Sequence, residues 1–97
     1  MEHVELPQGY KLEEVGHNLL LKRPSGYVLA VFGEGVSPEN IRRVAQADEK
    51  YLRAVDREEK FGLAADSETV VMFSEDVREA RTEFLLALEV AYRGKDA

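Results

Sequence analysis

The stretch AVFGEGVSPENIRR, residues 30–43, runs from an apolar segment through two glycines into a helix start. A strand, a glycine-rich turn and a helix N-terminus in that order can cradle a phosphate, provided free backbone N–H groups point at the anion. This loop lacks the rest of the pattern. Two glycines stand in G-x-G spacing, but no third glycine and no Lys-Ser/Thr follows, so neither the dinucleotide nor the P-loop signature is met. Pro38 removes one donor from the first turn, and Glu34 and Glu39 repel a phosphate. The loop is expected to turn the chain and cap a helix, and no more.

Other chemistries fare no better. His3 and His17 are far apart, one near a terminus and one in a turn-forming GHN triplet. Adjacent carboxylates such as Glu13–Glu14 and Glu75–Asp76 diverge on a strand or a helix. DREEK (56–60) lacks the alternating oxygen ligands and the central glycine of a calcium loop. With no cysteine there is no thiol nucleophile, no disulfide and no zinc site built on sulfur. Ser37 and Ser74 read as helix caps and Ser25 as a turn residue, and no G-x-S-x-G occurs. No catalytic residue, metal ligand or cofactor is expected.

The elements that position these residues begin with three strands. YKLEEV (10–15) and NLLLKR (18–23) flank GHN, and RPSG leads from the second strand into YVLAVF (27–32). Pro24 suits the second position of a type I turn and Gly26 is free to take a positive φ, so the last two strands form a hairpin. The third strand is apolar on both faces, with Tyr27, Leu29 and Val31 on one and Val28, Ala30 and Phe32 on the other. Both faces are therefore expected to be covered, by helices or by another subunit.

A first helix starts at Ser37, with Pro38 at its first position and Glu39 at the positive end of the dipole. Ile41, Val44, Ala45, Leu52 and Val55 form its inward stripe, and Gly62 suits its end. Asp48 falls within that stripe and is read as a polar edge or a wet interface. In the second helix Val77, Phe84, Leu88, Ala91 and Tyr92 point inward. Residues 67–74 have two readings. ETVVMF has the β-branched run of a short fourth strand, while Val70, Phe73, Val77 and Ala80 step by three and four as one continuous helix does. The fold class is α+β, a three-stranded antiparallel meander followed by two amphipathic helices, with or without that fourth strand. All 97 residues make one small domain, with residues 1–9 and 94–97 as loosely ordered ends.

Two surfaces stand out. Arg43, Lys50, Arg53, Arg57 and Lys60 share one side of the first helix, centred about 150° from the apolar stripe, and are expected to face water. Glu39–Arg43, Glu49–Arg53 and Asp56–Lys60 are acid-first pairs that stabilise the helix by a few tenths of a kcal/mol each. On the second helix Leu86 and Val90 lie off the inward stripe beside Glu79 and Glu83, and these four residues are the candidate subunit interface.

Hydrophobic residues make up 44% of the chain and charged residues 33%, as in a globular domain. The net charge of −6 opposes approach to nucleic acid or anionic lipid. The N-terminal residues do not read as a secretion signal, and no apolar run is long enough to span a membrane. Lack of cysteine makes a reducing cytoplasm the simplest setting. The expectation is a non-catalytic interaction module that forms a homodimer, with an acidic protein as a further possible partner of the basic stripe. The alternative is a nucleic-acid binder using that stripe with Lys22 and Arg23, and an enzyme is the third reading.

Overall fold

The computed structural model describes residues 4–61 and 67–93, and for residues 60, 61 and 67–74 the backbone only. Three strands, β1 (Lys11–Val15), β2 (Asn18–Lys22) and β3 (Val28–Phe32), precede two helices, α1 (Pro38–Phe61) and α2 (Ser67–Arg93). The sheet is an antiparallel meander in the order β1-β2-β3. Leu12 faces Leu21 across the first pair, and Leu21 faces Ala30 across the second. A register shift at Leu21/Lys22 sets Lys22 opposite Val28.

The turn after β2 follows its sequence. The Gly26 N–H donates to the Arg23 carbonyl at 2.8 Å, and Gly26 sits at φ +95°, where a side chain is disfavoured. The cap of α1 is equally local. Ser37 Oγ accepts the Asn40 N–H at 3.1 Å, which satisfies one of the free donors of the first turn.

Alternation along the strands puts Leu12, Leu19, Leu21, Ala30 and Phe32 on one face, toward the helices. Leu21 and Phe32 are fully buried there with Ile41, Val44, Ala45 and Ala91. Val4 and Leu6 pack against this core ahead of β1, although that segment reads as a loose end in the sequence. Only this face of the sheet is covered. Val31 is 44% and Tyr27 61% exposed, so the expected double cover of β3 does not exist within one chain. The two helices pack on each other and on the same side of the sheet, and among the described residues no further element closes the other side.

Residues 67–74 are helical and belong to α2, so the fourth strand is absent. A strand needs a ladder partner, whereas the three-and-four stepping from Val70 to Ala80 is met by one continuous helix. Ser74 is consequently inside a helix and does not cap one. Gly62, the expected end of α1, lies outside the described residues.

The helices of 24 and 27 residues outrun the sheet. At 1.5 Å per residue they reach about 36–40 Å, against about 17 Å for a five-residue strand. The radius of gyration is 15.3 Å, where a compact chain of this length has about 12–13 Å. Leu52 and Val55, in the half of α1 farther from the sheet-packed residues, are accordingly only half-buried.

Candidate functional site

The glycine loop meets the β1–β2 turn across a shallow cleft of about 290 Å³, lined by Glu14, His17, Leu19, residues 33–36 and Pro38. His17 Nδ1 lies 2.9 Å from Glu34 Oε1, and both side chains are largely in water. Glu14 and Glu34 make the cleft acidic, and Ser37 Oγ is engaged in the helix cap. Those two carboxylates oppose a phosphate there. Among the described residues no three histidine or carboxylate side chains come together as metal ligands. His3 lies outside the described residues.

The concentrated polar chemistry lies elsewhere. Asp48 is on the inward side of α1, one turn after Val44, and is fully buried. Its carboxylate accepts the Tyr10 hydroxyl at 2.6 Å and the Arg23 Nε and Nη2 at 2.9 and 2.7 Å. Tyr10 stands just before β1 and Arg23 just after β2, so one α1 carboxylate ties both ends of that hairpin to the helix. The Arg23 guanidinium also lies over the Tyr27 ring, 5.1 Å from its centroid.

This cluster is closed. Burial, and then the hydrogen bond to Asp48, push the Tyr10 phenol above its ordinary value, so it keeps its proton at neutral pH. The hydrogen bond to Asp48 likewise raises Arg23. Among the described residues no buried side-chain polar atom lacks a partner. A carboxylate held by three donors, with a phenol that keeps its proton, fastens elements and has no vacant group to offer a substrate. Asp48 is therefore neither a polar edge nor a wet interface. The signal in the sequence was an acid inside an apolar stripe. Its partners, 38 and 25 residues away, gave none.

The described side chains of the α1 basic stripe face water as expected, 53–73% exposed, and each also meets a carboxylate. Lys50 Nζ reaches both oxygens of Glu83 on α2 at 2.9–3.0 Å, and this bond raises its pKa. Arg57 lies 3.9 Å from Asp76 on α2, Arg53 3.4 Å from Glu49, and Arg43 3.5 Å from Glu39. The side chain of Lys60 lies outside the described residues. Lys50, Arg53, Arg57, Asp76 and Glu79 rim a groove of about 350 Å³ whose floor includes Ala54 and Ala80. The wheel placed this stripe in water correctly, but with one apolar face counted it did not show the α2 carboxylates beside it. α1 has a second buried face, marked by Ala54 at 8% exposure, and the stripe borders it. Of the two cations added to the nucleic-acid alternative, Lys22 pairs with Glu13 and Arg23 with Asp48.

The candidate interface is divided. Glu83 turns to Lys50, and Glu79 lines the same groove, while Leu86 and Val90 are 55% and 47% exposed. Leu85 and Tyr92 are exposed as well, and Val15, Tyr27, Val28 and Val31 are the large apolar side chains exposed on the sheet. Tyr92, expected to point inward, does so in part: its ring is 5.6 Å from that of Phe32. No helix among the described residues is long and apolar enough to cross a membrane. The chain matches no family model, no curated protein and no solved structure.

Proposed function

We propose that this protein is a non-catalytic interaction module that works as a homodimer. The observation that supports it is the set of large apolar side chains left in water among the described residues, four on or beside the sheet and four in the C-terminal part of α2, each at least 41% exposed. Single exposed apolar residues are ordinary, but groups of them on a small domain mark interaction surfaces. The polar residues support the same reading, since the buried Asp48 cluster is closed and Arg43, Lys50, Arg53 and Arg57 are matched by carboxylates. That matching also removes support from a phosphate-backbone partner. With no cysteine to oxidise, a reducing cytoplasm suits the chain.

Sedimentation of the full chain from low to high micromolar concentration tests this reading. A dimer is expected over most of that range. A chain that stays monomeric at high micromolar concentration refutes it.

A further inference from the structure

We infer that the outward side of α2 docks an acidic amphipathic helix of another protein, whose carboxylates take Arg78 and Arg81 and whose apolar ridge lies on Leu85 and Tyr92. The inference goes beyond the self-association reading above and does not rest on it. Arg78, Arg81, Leu85, Leu86 and Tyr92 are all exposed on this helix. Their charges are unusual for this chain. Of the other lysines and arginines whose side chains are described, all but Lys11 stand against a carboxylate. Arg78 and Arg81 have no partner among the described residues, in a chain with 19 acids to 13 bases. The local sequence accounts for Arg81. One turn before and after it stand Val77, Arg78, Phe84 and Leu85, none of them an acid. Glu75, one turn before Arg78, forms no ion pair with it.

The arginines adjoin apolar surface. Arg78, Leu85 and Tyr92 recur every seven residues, so they form one line about 21 Å long on the helix. Leu85 and Leu86 are 50% and 55% exposed midway along it. That combination selects the occupant. A strand gains no ladder here, because the backbone groups of α2 are paired within the helix. A helix laid alongside keeps pace with a seven-residue line. Its apolar ridge meets the leucines, and carboxylates flanking that ridge meet the guanidiniums, which bind them through two parallel hydrogen bonds. A phosphate backbone would reach the arginines but leave Leu85 and Leu86 in water, and two cations are few beside the roughly 6–10 phosphate contacts of a nucleic-acid binder. A second copy brings no free acid to this line, since an isologous contact sets the same patch on itself and Glu89 is held by Arg93 at 2.5 Å. The net charge of −6 acts at long range. Physiological salt screens charges beyond about 8 Å and leaves the two guanidiniums to set the local preference.

The test selects a displayed library of helical peptides of about 18 residues on the full-length chain. The peptides share a leucine ridge, and the positions flanking it are randomised over glutamate, lysine and alanine. Selection is repeated on the double variant Arg78→Glu, Arg81→Glu. The parent should enrich glutamate-flanked peptides that move the amide resonances of residues 78–92 and bind the folded double variant at least about tenfold more weakly. The double variant should enrich lysine-flanked peptides instead. No binder, lysine or alanine flanks on the parent, equal binding by the double variant, or shifts confined to other residues overturn the inference. Amides of 78–92 that move with protein concentration in the absence of peptide give the face to a second copy. A DNA duplex that binds the parent and not the double variant gives it to a phosphate backbone, and both of these results overturn the inference. Should the double variant not fold, the tenfold loss is read on Arg78→Ala, Arg81→Ala, which keeps the helix propensity. A parent that stays monomeric yet selects acidic peptides refutes self-association alone.

Discussion

Replacing Asp48 by alanine removes the acceptor of three hydrogen bonds at once, and the size of the loss follows from their surroundings. Hydrogen bonds to a charged group contribute about 1.5–3 kcal/mol each, yet the three do not add. The Arg23 side chain is 24% exposed and can turn toward water once released, while the Tyr10 hydroxyl, in a residue 8% exposed, is left without its partner. Removing one member of a buried pair costs about 3–5 kcal/mol, and the exposure of Arg23 places Asp48→Ala near about 3 kcal/mol. Domains of this size have about 5–15 kcal/mol in total, so the variant should fold but with a midpoint lowered by roughly 12–24 °C. Urea unfolding of parent and variant at one protein concentration measures the difference, the fixed concentration removing any contribution from association. The apolar triple variant Tyr10→Phe, Arg23→Met, Asp48→Leu should regain most of the loss, because it leaves no buried group unpaired. A cost of Asp48→Ala below about 1 kcal/mol would refute the fastening role.

The raised Tyr10 phenol makes stability depend on alkaline pH. The contribution is complete below the ordinary tyrosine value near 10 and is lost as pH climbs through the higher folded value, so the parent should unfold at high pH with one of its four tyrosines ionising last. Phenolate absorbance follows this, and the late step should be missing in Tyr10→Phe. Gly26→Val should cost on the order of 1 kcal/mol or more through its φ of +95° alone, since nothing crowds the position. Gly9→Ala should be costly for two reasons, as φ is +87° there and a Cβ would meet Pro24 Cγ at 2.9 Å; thermal melts of both variants that match the parent would contradict the turn geometry. The parent should show no salt-sensitive retention on DNA or heparin at about 50 mM salt, because Lys50, Arg53 and Arg57 of α1 face carboxylates; retention lost on replacing these three by glutamine would reverse that conclusion.

The features legible in the sequence are those fixed by a few consecutive residues. RPSG demands its turn because proline sets one φ and glycine permits the next, and Ser37-Pro38-Glu39 caps a helix with its own side chain and dipole. Alternation and three-and-four stepping likewise gave the meander and the helices, with strand ends within a residue of those observed. Residues 67–74 show where local preference stops. A β-branched run favours a strand only weakly, and here the same residues carry the three-and-four stepping that continues through Ala80, so they join α2. Asp48 shows it again. Periodicity turned this acid inward, but whether it met water, a second subunit or two distant donors depended on how the β1–β2 hairpin lies across α1. Lys50 faces solvent as the wheel indicates and also meets Glu83, 33 residues away, because the packing of α2 creates a second face on α1. A single helix or strand specifies which of its sides is apolar, while the element that covers it is chosen by the packing of the whole chain, where each buried polar group must find a partner among residues brought close only by the fold.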